Sequence, residues 1–406
     1  MKLSFIFIYL SFIVSTKTKH NKNKKQSSEE DVPIVDTVLD LRGTVRRDFA
    51  LEAALLDHAR NMICSPLSIL MPLGKLVLGS EGTAEKELFA AIGVENRKQL
   101  KPMFKKLISN MQYLPGVTLD VASRLYVATD QTLNKNFLRR TKSLFKSTCK
   151  KMNTKDPEAT AASINNWVSM KTKQKIKNLV TPADISQGTS VLLVNAVYFA
   201  GLWKQKFEKV QTEDFHAPAG TRRIPMMTRQ GQYNYWKCET LNAQLIEIPY
   251  EGDQSAMIIV LPFSSSGLPV LLRAIKLAPE LLNQALDKMK TSSVILSMPK
   301  FKIESEFDLT PLYEKIGLSN IFDPAKSELT GIIDNKQKVF ISKAVHKAII
   351  EVNERGTEAA AATGEHLIEK FPFLLRYINM EVNHPFLFFV RTGQQQMFTG
   401  VYGGKS

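Results

Sequence analysis

The chain has 406 residues, 44% hydrophobic and 23% charged, with 20 Gly and 18 Pro; this excludes a disordered or fibrous protein and predicts a globular one with a sizeable core. Three cysteines, Cys64, Cys149 and Cys238, are too few, and odd in number, for a disulfide scaffold, so packing must hold the fold. A formal net charge of +15 favours acidic partners, a sulfated polysaccharide ahead of nucleic acid, against the plainer reading of a generally basic surface.

Lys2 precedes an apolar run over residues 3–14, closed by Ser15 and Thr16. A basic start, an apolar core and a small-residue exit predict a secretory signal peptide over 1–16. The run is too short for a membrane-spanning helix, which needs about 20 apolar residues. Residues 17–31 carry five lysines and no aromatic residue, which predicts a flexible basic tail to residue 40 and a single folded domain over 41–406. The mature protein is thus expected outside the cell, as a soluble monomer that engages neither membrane nor nucleic acid. No Asn-x-Ser/Thr sequon is present.

Ser65-Pro66-Leu67-Ser68 opens an amphipathic helix bearing Ile69, Leu73 and Leu76, with Ser placed to cap and Pro near the first turn. A second helix is read over 85–92. Lys98, Lys101, Lys105 and Lys106 follow; Lys101 and Lys105 share a face, although Pro102 interrupts the pattern. Residues 160–180 place Ile164, Trp167, Val168 and Ile176 at helical spacing, with Lys171, Lys173, Lys175 and Lys177 among them. Strand-like runs occupy 191–200, 244–248, 256–261, 294–298 and 386–390. Val191-Leu192-Leu193-Val194 is apolar on both faces, as in the middle of a covered sheet. Residues 338–352 alternate, and a loop without a secondary-structure signal then runs to Asn383. An irregular stretch of that length in a compact protein is usually functional. The class is mixed α+β.

The sequence gives no sign of an enzyme. His20, His58, His216, His346, His366 and His384 include no His-Glu-x-x-His pair and none lies near a cysteine pair, so neither metal nor cofactor is expected. Gly-x-Ser-x-Gly is absent. The terminal Gly400-Val401-Tyr402-Gly403-Gly404-Lys405-Ser406 is one residue short of a phosphate loop and has no helix after it.

Within the long loop, Thr357-Glu358-Ala359-Ala360-Ala361-Ala362-Thr363 follows Gly356, which permits backbone geometry other residues resist. Four alanines usually favour helix, and a short surface helix is the plain alternative. As a strand, Thr357, Ala359, Ala361 and Thr363 would face one side and Glu358, Ala360 and Ala362 the other. The small neutral set could face a core while the charge faces out, which suits a segment that slides between two existing strands.

These features resemble the serpin family along nearly the whole mature chain. Asn61-Met62-Ile63-Cys64-Ser65-Pro66-Leu67-Ser68 is similar to the start of the family's second helix. Ile164-Asn165-Asn166-Trp167-Val168 with Thr172 and Lys175-Ile176 resembles its sixth. Leu193-Val194-Asn195-Ala196-Val197-Tyr198-Phe199 with Gly201, Trp203 and Phe207 resembles its central strand, and Asn383-His384-Pro385-Phe386-Leu387-Phe388 its C-terminal strand.

The resemblance implies one domain with three β-sheets, about nine helices and an exposed reactive-centre loop, here about residues 354–382. It implies a target protease that forms an acyl-enzyme on this loop, after which the cut loop enters the main sheet and carries the protease with it. The hinge is then Glu354-Arg355-Gly356 through Thr363. Ser65, Ser68, Asn195 and His346 match the polar cluster under the sheet's opening point, Trp203 the tryptophan where insertion begins, and Lys300 the partner of Glu354. The four lysines at 98–106 lie near the fourth helix, where some members bind heparin, which gives a heparin-like glycosaminoglycan as candidate partner beside the solvated-face reading.

Family spacing from Glu354 places the scissile bond at Lys370-Phe371, which suits a trypsin-like serine protease of an extracellular cascade. Arg376-Tyr377 is the alternative bond, and the loop before Asn383 is a few residues longer than usual. Pro372 follows closely, and Glu365 would face inward on full insertion, where an unpaired carboxylate is costly. A non-inhibitory carrier, storage protein or chaperone, and an inhibitor of papain-like cysteine proteases, are the other readings of the same fold.

Overall fold

The structure is a computed structural model and describes residues 60–130, 132–336, 338–356, 377–393 and 395–404. The signal peptide and tail expected at the N-terminus, and residues 357–376 of the long loop, lie outside the described residues.

Two layers of sheet enclose one helix, and that arrangement follows from where the apolar residues recur. Strand β1 (Met62–Cys64) leads into α1 (Pro66–Val77), which starts as its sequence requires: the Ser65 side chain accepts from the Ser68 amide at 3.4 Å and Pro66 occupies the first turn. Every residue of α1 is buried, because it packs between the two sheets. Helices α2 (Gly82–Ile92) and α3 (Arg97–Asn110) follow. Pro102 does not interrupt α3; the helix runs through it and forgoes one backbone bond.

A five-stranded sheet carries the order β10-β11-β4-β2-β3, formed by β2 (Val117–Ala128), β3 (Lys150–Met152), β4 (Val191–Gly201), β10 (Phe301–Asp308) and β11 (Ile341–Val352). Between β2 and β3 lies α4 (Lys135–Phe145), and α5 (Pro157–Lys171) covers the sheet's outer face. Along β4 the even residues Leu192, Val194, Ala196 and Tyr198 pack under α5, and the odd residues Val191, Leu193, Val197 and Phe199 pack toward α1. The expected two-faced burial of this strand is observed.

Helix α5 ends at Lys171, short of the helical stretch expected to residue 180. Lys173 and Gln174 take positive φ values of 46° and 66°, which no α-helix accommodates. The chain is held there by side chains. Thr172 Oγ1 donates to the Val168 carbonyl at 2.9 Å, and Asn165 Oδ1 accepts from the Leu179 and Val180 amides at 2.9 Å each. Ile176 is buried by this returning segment rather than by a helix face.

The second sheet has nine strands. It runs β1-β14-β13-β8-β7-β6-β9-β12, with β5 (Lys209–Ala217) paired to β6. Its members are β6 (Gly220–Cys238), β7 (Ala243–Pro249), β8 (Ser255–Pro262), β9 (Lys290–Pro299), β12 (Ile378–Glu381), β13 (Phe386–Thr392) and β14 (Gln395–Tyr402). Helices α6 (Leu268–Leu277) and α7 (Pro279–Asp287) back it, and α8 (Thr310–Lys315) follows β10.

Two sheets are therefore hydrogen-bonded where three were expected, because β6, at 19 residues, runs through what would otherwise be two sheets and joins them. Eight α-helices stand among the described residues, against about nine expected. The loop expected to run unbroken to Asn383 contains β12, which pairs in parallel with β9 from Ile378 to Glu381. Cys64, Cys149 and Cys238 are all free and buried.

Candidate functional site: a parallel strand pair and its hinge

At the centre of the five-stranded sheet, β4 and β11 are paired in parallel, from Val191 beside Ile341 to Ala200 beside Glu351. Each has an antiparallel neighbour on its other side, β2 for β4 and β10 for β11. A strand entering between them and running opposite to both would make that stretch of sheet antiparallel throughout, the more stable pairing per residue.

A polar cluster lies at the middle of this seam. His346 is in register with Asn195 on β4 and with Phe307 on β10, and Asn195 is in register with Ser123 on β2. The Asn195 amide, Nδ2, donates to the Ser68 carbonyl at 2.7 Å, lies 3.1 Å from Ser68 Oγ, and reaches His346 Nδ1 at 3.1 Å. With Asn195 as donor, His346 Nδ1 accepts and the imidazole proton sits on Nε2. Ser68 Oγ donates to the Ser65 carbonyl at 3.3 Å. The His346 ring stacks on Phe307, and complete burial lowers its pKa to about 3, so the ring is neutral. Neither His346 Nε2 nor Asn195 Oδ1 has a partner among the described residues. Ser65, Ser68, Asn195 and His346, read separately from the sequence, are thus one contiguous network.

The described residues of the expected hinge, Glu354 to Gly356, follow the end of β11 at the far end of the seam. Trp203 Nε1 donates to the Asn353 carbonyl at 2.7 Å and the Trp203 amide to the Arg355 carbonyl at 3.4 Å, while the Phe207 amide donates to the Glu354 carbonyl at 2.8 Å. Lys300 Nζ is 2.9 Å from Glu354 Oε2, and this partner is the main cause holding the Glu354 carboxyl below the usual range. Gly356 has φ +96°, and a Cβ there would stand 2.2 Å from the Gly201 carbonyl oxygen and from Leu202 Cα. Only glycine lets the chain leave β11 this close to the end of β4. Trp203, Lys300, Glu354, Arg355 and Gly356 are therefore brought together at the end of β11. Thr357, Glu358, Ala359, Ala360, Ala361, Ala362 and Thr363 of the hinge, and Lys370, Phe371 and Arg376, lie outside the described residues. Tyr377 is exposed and directly precedes β12.

Lys98, Lys101, Lys105 and Lys106 are all exposed on α3. Helical spacing puts Lys98, Lys101 and Lys105 on one side.

Several residues that shape the site were not singled out in the sequence. Tyr250 stacks under Trp203, with ring centroids 4.6 Å apart and planes 8° from parallel. Lys75, on α1, is completely buried and donates to the Ser123 carbonyl at 2.6 Å and to its Oγ at 2.9 Å, tying α1 to β2. Strand β2 itself had a signal, since Val117, Leu119, Val121, Leu125 and Val127 recur at period two. Lys75 had none: a lysine in an apolar helix reads as its exposed face.

The sequence model of the family described as Serpin (serine protease inhibitor) matches residues 47–402. Among curated proteins, Antichymotrypsin-2 of Bombyx mori is 35% identical over 349 residues, 85% of this chain and 92% of its own length. Antitrypsin of Bombyx mori is 35% identical over 350 residues, covering 85% and 88%. Neuroserpin of Homo sapiens is 34% identical over 347 residues, covering 82% of both. Among solved structures, Serpin48 of the insect Tenebrio molitor aligns with TM-score 0.83 at 26% identity, over 93% of this chain and all of that one. Native protease nexin-1, solved with heparin, aligns at 0.78 and 26% over 91% and 99%. With these likenesses spanning the seam and the hinge alike, the chain belongs to the serpin family of protease inhibitors.

Proposed function

We propose that this chain is a secreted, single-use inhibitor of trypsin-like serine proteases that restrains an extracellular proteolytic cascade. The observation that carries the reading is the closed parallel pair β4–β11 with glycine-hinged chain at its end. That pair offers the returning loop a place in which every new backbone bond is antiparallel. The protease serine would attack the Lys370 carbonyl carbon, forming an ester as the Lys370-Phe371 peptide bond breaks and the Phe371 amine departs. Residues from Thr357 onward would then enter the seam. About 14 residues at ~3.3 Å each would carry the acylated protease roughly 45 Å.

Lys370 is favoured over Arg376 by position. An arm ending at Arg376 would be six residues longer than one ending at Lys370, too long for the seam, and Tyr377 borders β12, which is already paired to β9. Antitrypsin and Antichymotrypsin-2 are equally similar, at 35% identity, and their names point to different targets, so the basic bait residue rests on Lys370 itself. Incubation with trypsin, followed by denaturing electrophoresis and sequencing of the released fragment, tests the reading. A covalent complex and a fragment beginning at Phe371 are expected. Cleavage without complex would overturn inhibition, and a fragment beginning at Tyr377 would overturn the bond. The lysines of α3 are proposed as the contact for a heparin-like glycosaminoglycan, with the heparin seen on protease nexin-1 as the supporting likeness.

A further inference from the structure

The seam has a second end. Opposite the hinge, β4 begins at Val191 beside Ile341 of β11, and several segments gather there. The Ala128 amide, at the end of β2, donates to the Ser190 carbonyl at 2.8 Å, and the Phe340 amide to Ser190 Oγ at 3.2 Å. Strand β3 pairs with Tyr126, Val127 and Ala128, and the Asp334 amide donates to the Thr132 carbonyl at 3.0 Å. The end so formed is cationic. Lys135, Lys150, Lys151, Lys336 and Lys338 are exposed on it, against Asp130 and Asp334; beside them Lys155 and Asp156 offset one another. None of the five lysines is ion-paired among the described residues. Lys151 and Lys338 donate to backbone carbonyls, of Asp130 at 3.4 Å and of Ala325 at 2.9 Å, which leaves their charge in place.

The cut end of the loop would arrive at this same place. Thr357 to Lys370 is 14 residues, and the seam offers ten register pairs. A strand entering at the hinge and running antiparallel to β11 therefore passes the last pair by about four residues. Lys370 would then stand beyond Val191 and Ile341, among the lysines, with the protease held on it as an ester. The protease surface around its own active site would face this end at close range. An isolated exposed ion pair is worth little, but several like charges on one surface sum to a field that a facing surface feels as a whole.

We propose that this lysine-rich end is a docking surface for the trapped protease and favours one whose active-site face is acidic, an inference that rests on the inhibitor reading above. Attraction would seat the protease against the end of the sheet and keep its catalytic groups displaced. Escape needs water to attack the Lys370 carbonyl carbon, so that the bond to the serine oxygen breaks and that oxygen regains a proton, with the protease's histidine in its working position. A protease repelled from the end would recover that geometry sooner. The lysines thus set how long a complex lasts, whereas the bait residue sets which protease cuts.

Anionic and cationic isoforms of trypsin share a specificity pocket and differ in surface charge, which makes them the probes. Complexes of each with the full chain are isolated, and the return of trypsin activity is followed at low salt and in about 1 M salt. The anionic complex should outlast the cationic one at least about fivefold at low salt, and the two should converge at high salt, where the screening length is ~3 Å. Lys150→Glu with Lys151→Glu, and Lys336→Glu with Lys338→Glu, should each shorten the anionic complex severalfold, lengthen the cationic one, and leave the rate of loop cleavage unchanged. The salt comparison uses the parent chain, so it decides the matter even where a variant does not fold. If neither isoform forms a complex, the inhibitor reading itself falls. Complexes that form with both isoforms and last equally long at low salt, or that last unchanged in high salt and in the folded variants, would overturn the docking surface alone.

Discussion

Lys75→Met isolates the tie between α1 and the sheet. Lys75 is completely buried, and burial first, then the positive charge of Arg124, lowers its pKa from 10.5 to about 7. Holding the charged amine in that place is therefore costly by up to about 5 kcal/mol, at ~1.4 kcal/mol per pKa step of one. Methionine keeps the length of the side chain and removes the amine, at the loss of two hydrogen bonds to Ser123 worth about 1 kcal/mol each. The Ser123 carbonyl is not orphaned, because Ser147 Oγ also donates to it. The variant should accordingly be more stable than the parent by about 2–3 kcal/mol at pH 7. The pH dependence has a definite sign. Between about 7 and 10.5 the unfolded chain holds a proton on Lys75 that the native state has released, so the parent gains stability as pH rises through that window. The advantage of Lys75→Met must then shrink toward pH 10 and stay flat below 7. Urea unfolding of both proteins at pH 6.5, 8 and 9.5, followed by tryptophan emission, reads this directly. A difference independent of pH, or a variant less stable at pH 7, would refute the buried-amine argument.

Ala361→Arg puts a charge on the inward face of the entering strand, so trypsin should still cut the loop but the yield of covalent complex should fall at least about tenfold, measured by denaturing electrophoresis. His346 has its pKa lowered to about 3 by burial, so the unfolded chain takes up a proton that the native state refuses between about 3 and 6.5. Stability should therefore fall as pH drops below 6.5, and His346→Gln should flatten that fall in unfolding midpoints collected from pH 4.5 to 7. Lys300→Met breaks a half-exposed ion pair with Glu354 and should change the unfolding free energy by less than about 1 kcal/mol, with the effect vanishing in 1 M salt.

Local patterns were legible where one residue type meets one constraint. Ser65 before Pro66 announced a helix start and the structure caps it there; Val191-Leu192-Leu193-Val194 announced a strand covered on both faces, and the two faces are found under α5 and against α1. The hinge glycine was legible for the same reason, since its backbone angle excludes other residues. Illegible were features set by partners far along the chain. The end of α5 depends on Asn165 receiving amides at 179 and 180 and on Lys173 and Gln174 reversing their backbone, none of which disturbs helical spacing. Strand β12 is four residues long and exists because β9 offers an edge, so Ile378-Asn379-Met380-Glu381 alone could not report it. The burial of Lys75 likewise arises from packing of α1 against β2, which no single stretch of sequence contains.

The geometry also bears on why such a sheet would stay closed until cut. The seam between β4 and β11 is held by ten register pairs and by the Asn195–His346–Ser68 network, and it cannot open at one pair without loosening its neighbours. The uncut loop is tethered at both ends, by Trp203 and Phe207 at Glu354 and Arg355 and by β12 beyond Tyr377. A strand entering antiparallel to β11 must fold back through Gly356 and advance down the seam away from its own hinge. With β12 fixed in the other sheet, advance of the intact loop soon draws its far end taut. Cleavage between those tethers would free one end, so that the same seam that resists opening would then fill step by step. On the proposed mechanism, stabilising the seam and stabilising the tethers therefore have different consequences. A tighter seam slows insertion and lets the protease deacylate, whereas a tighter β12 tether slows only the uncut loop and leaves trapping intact.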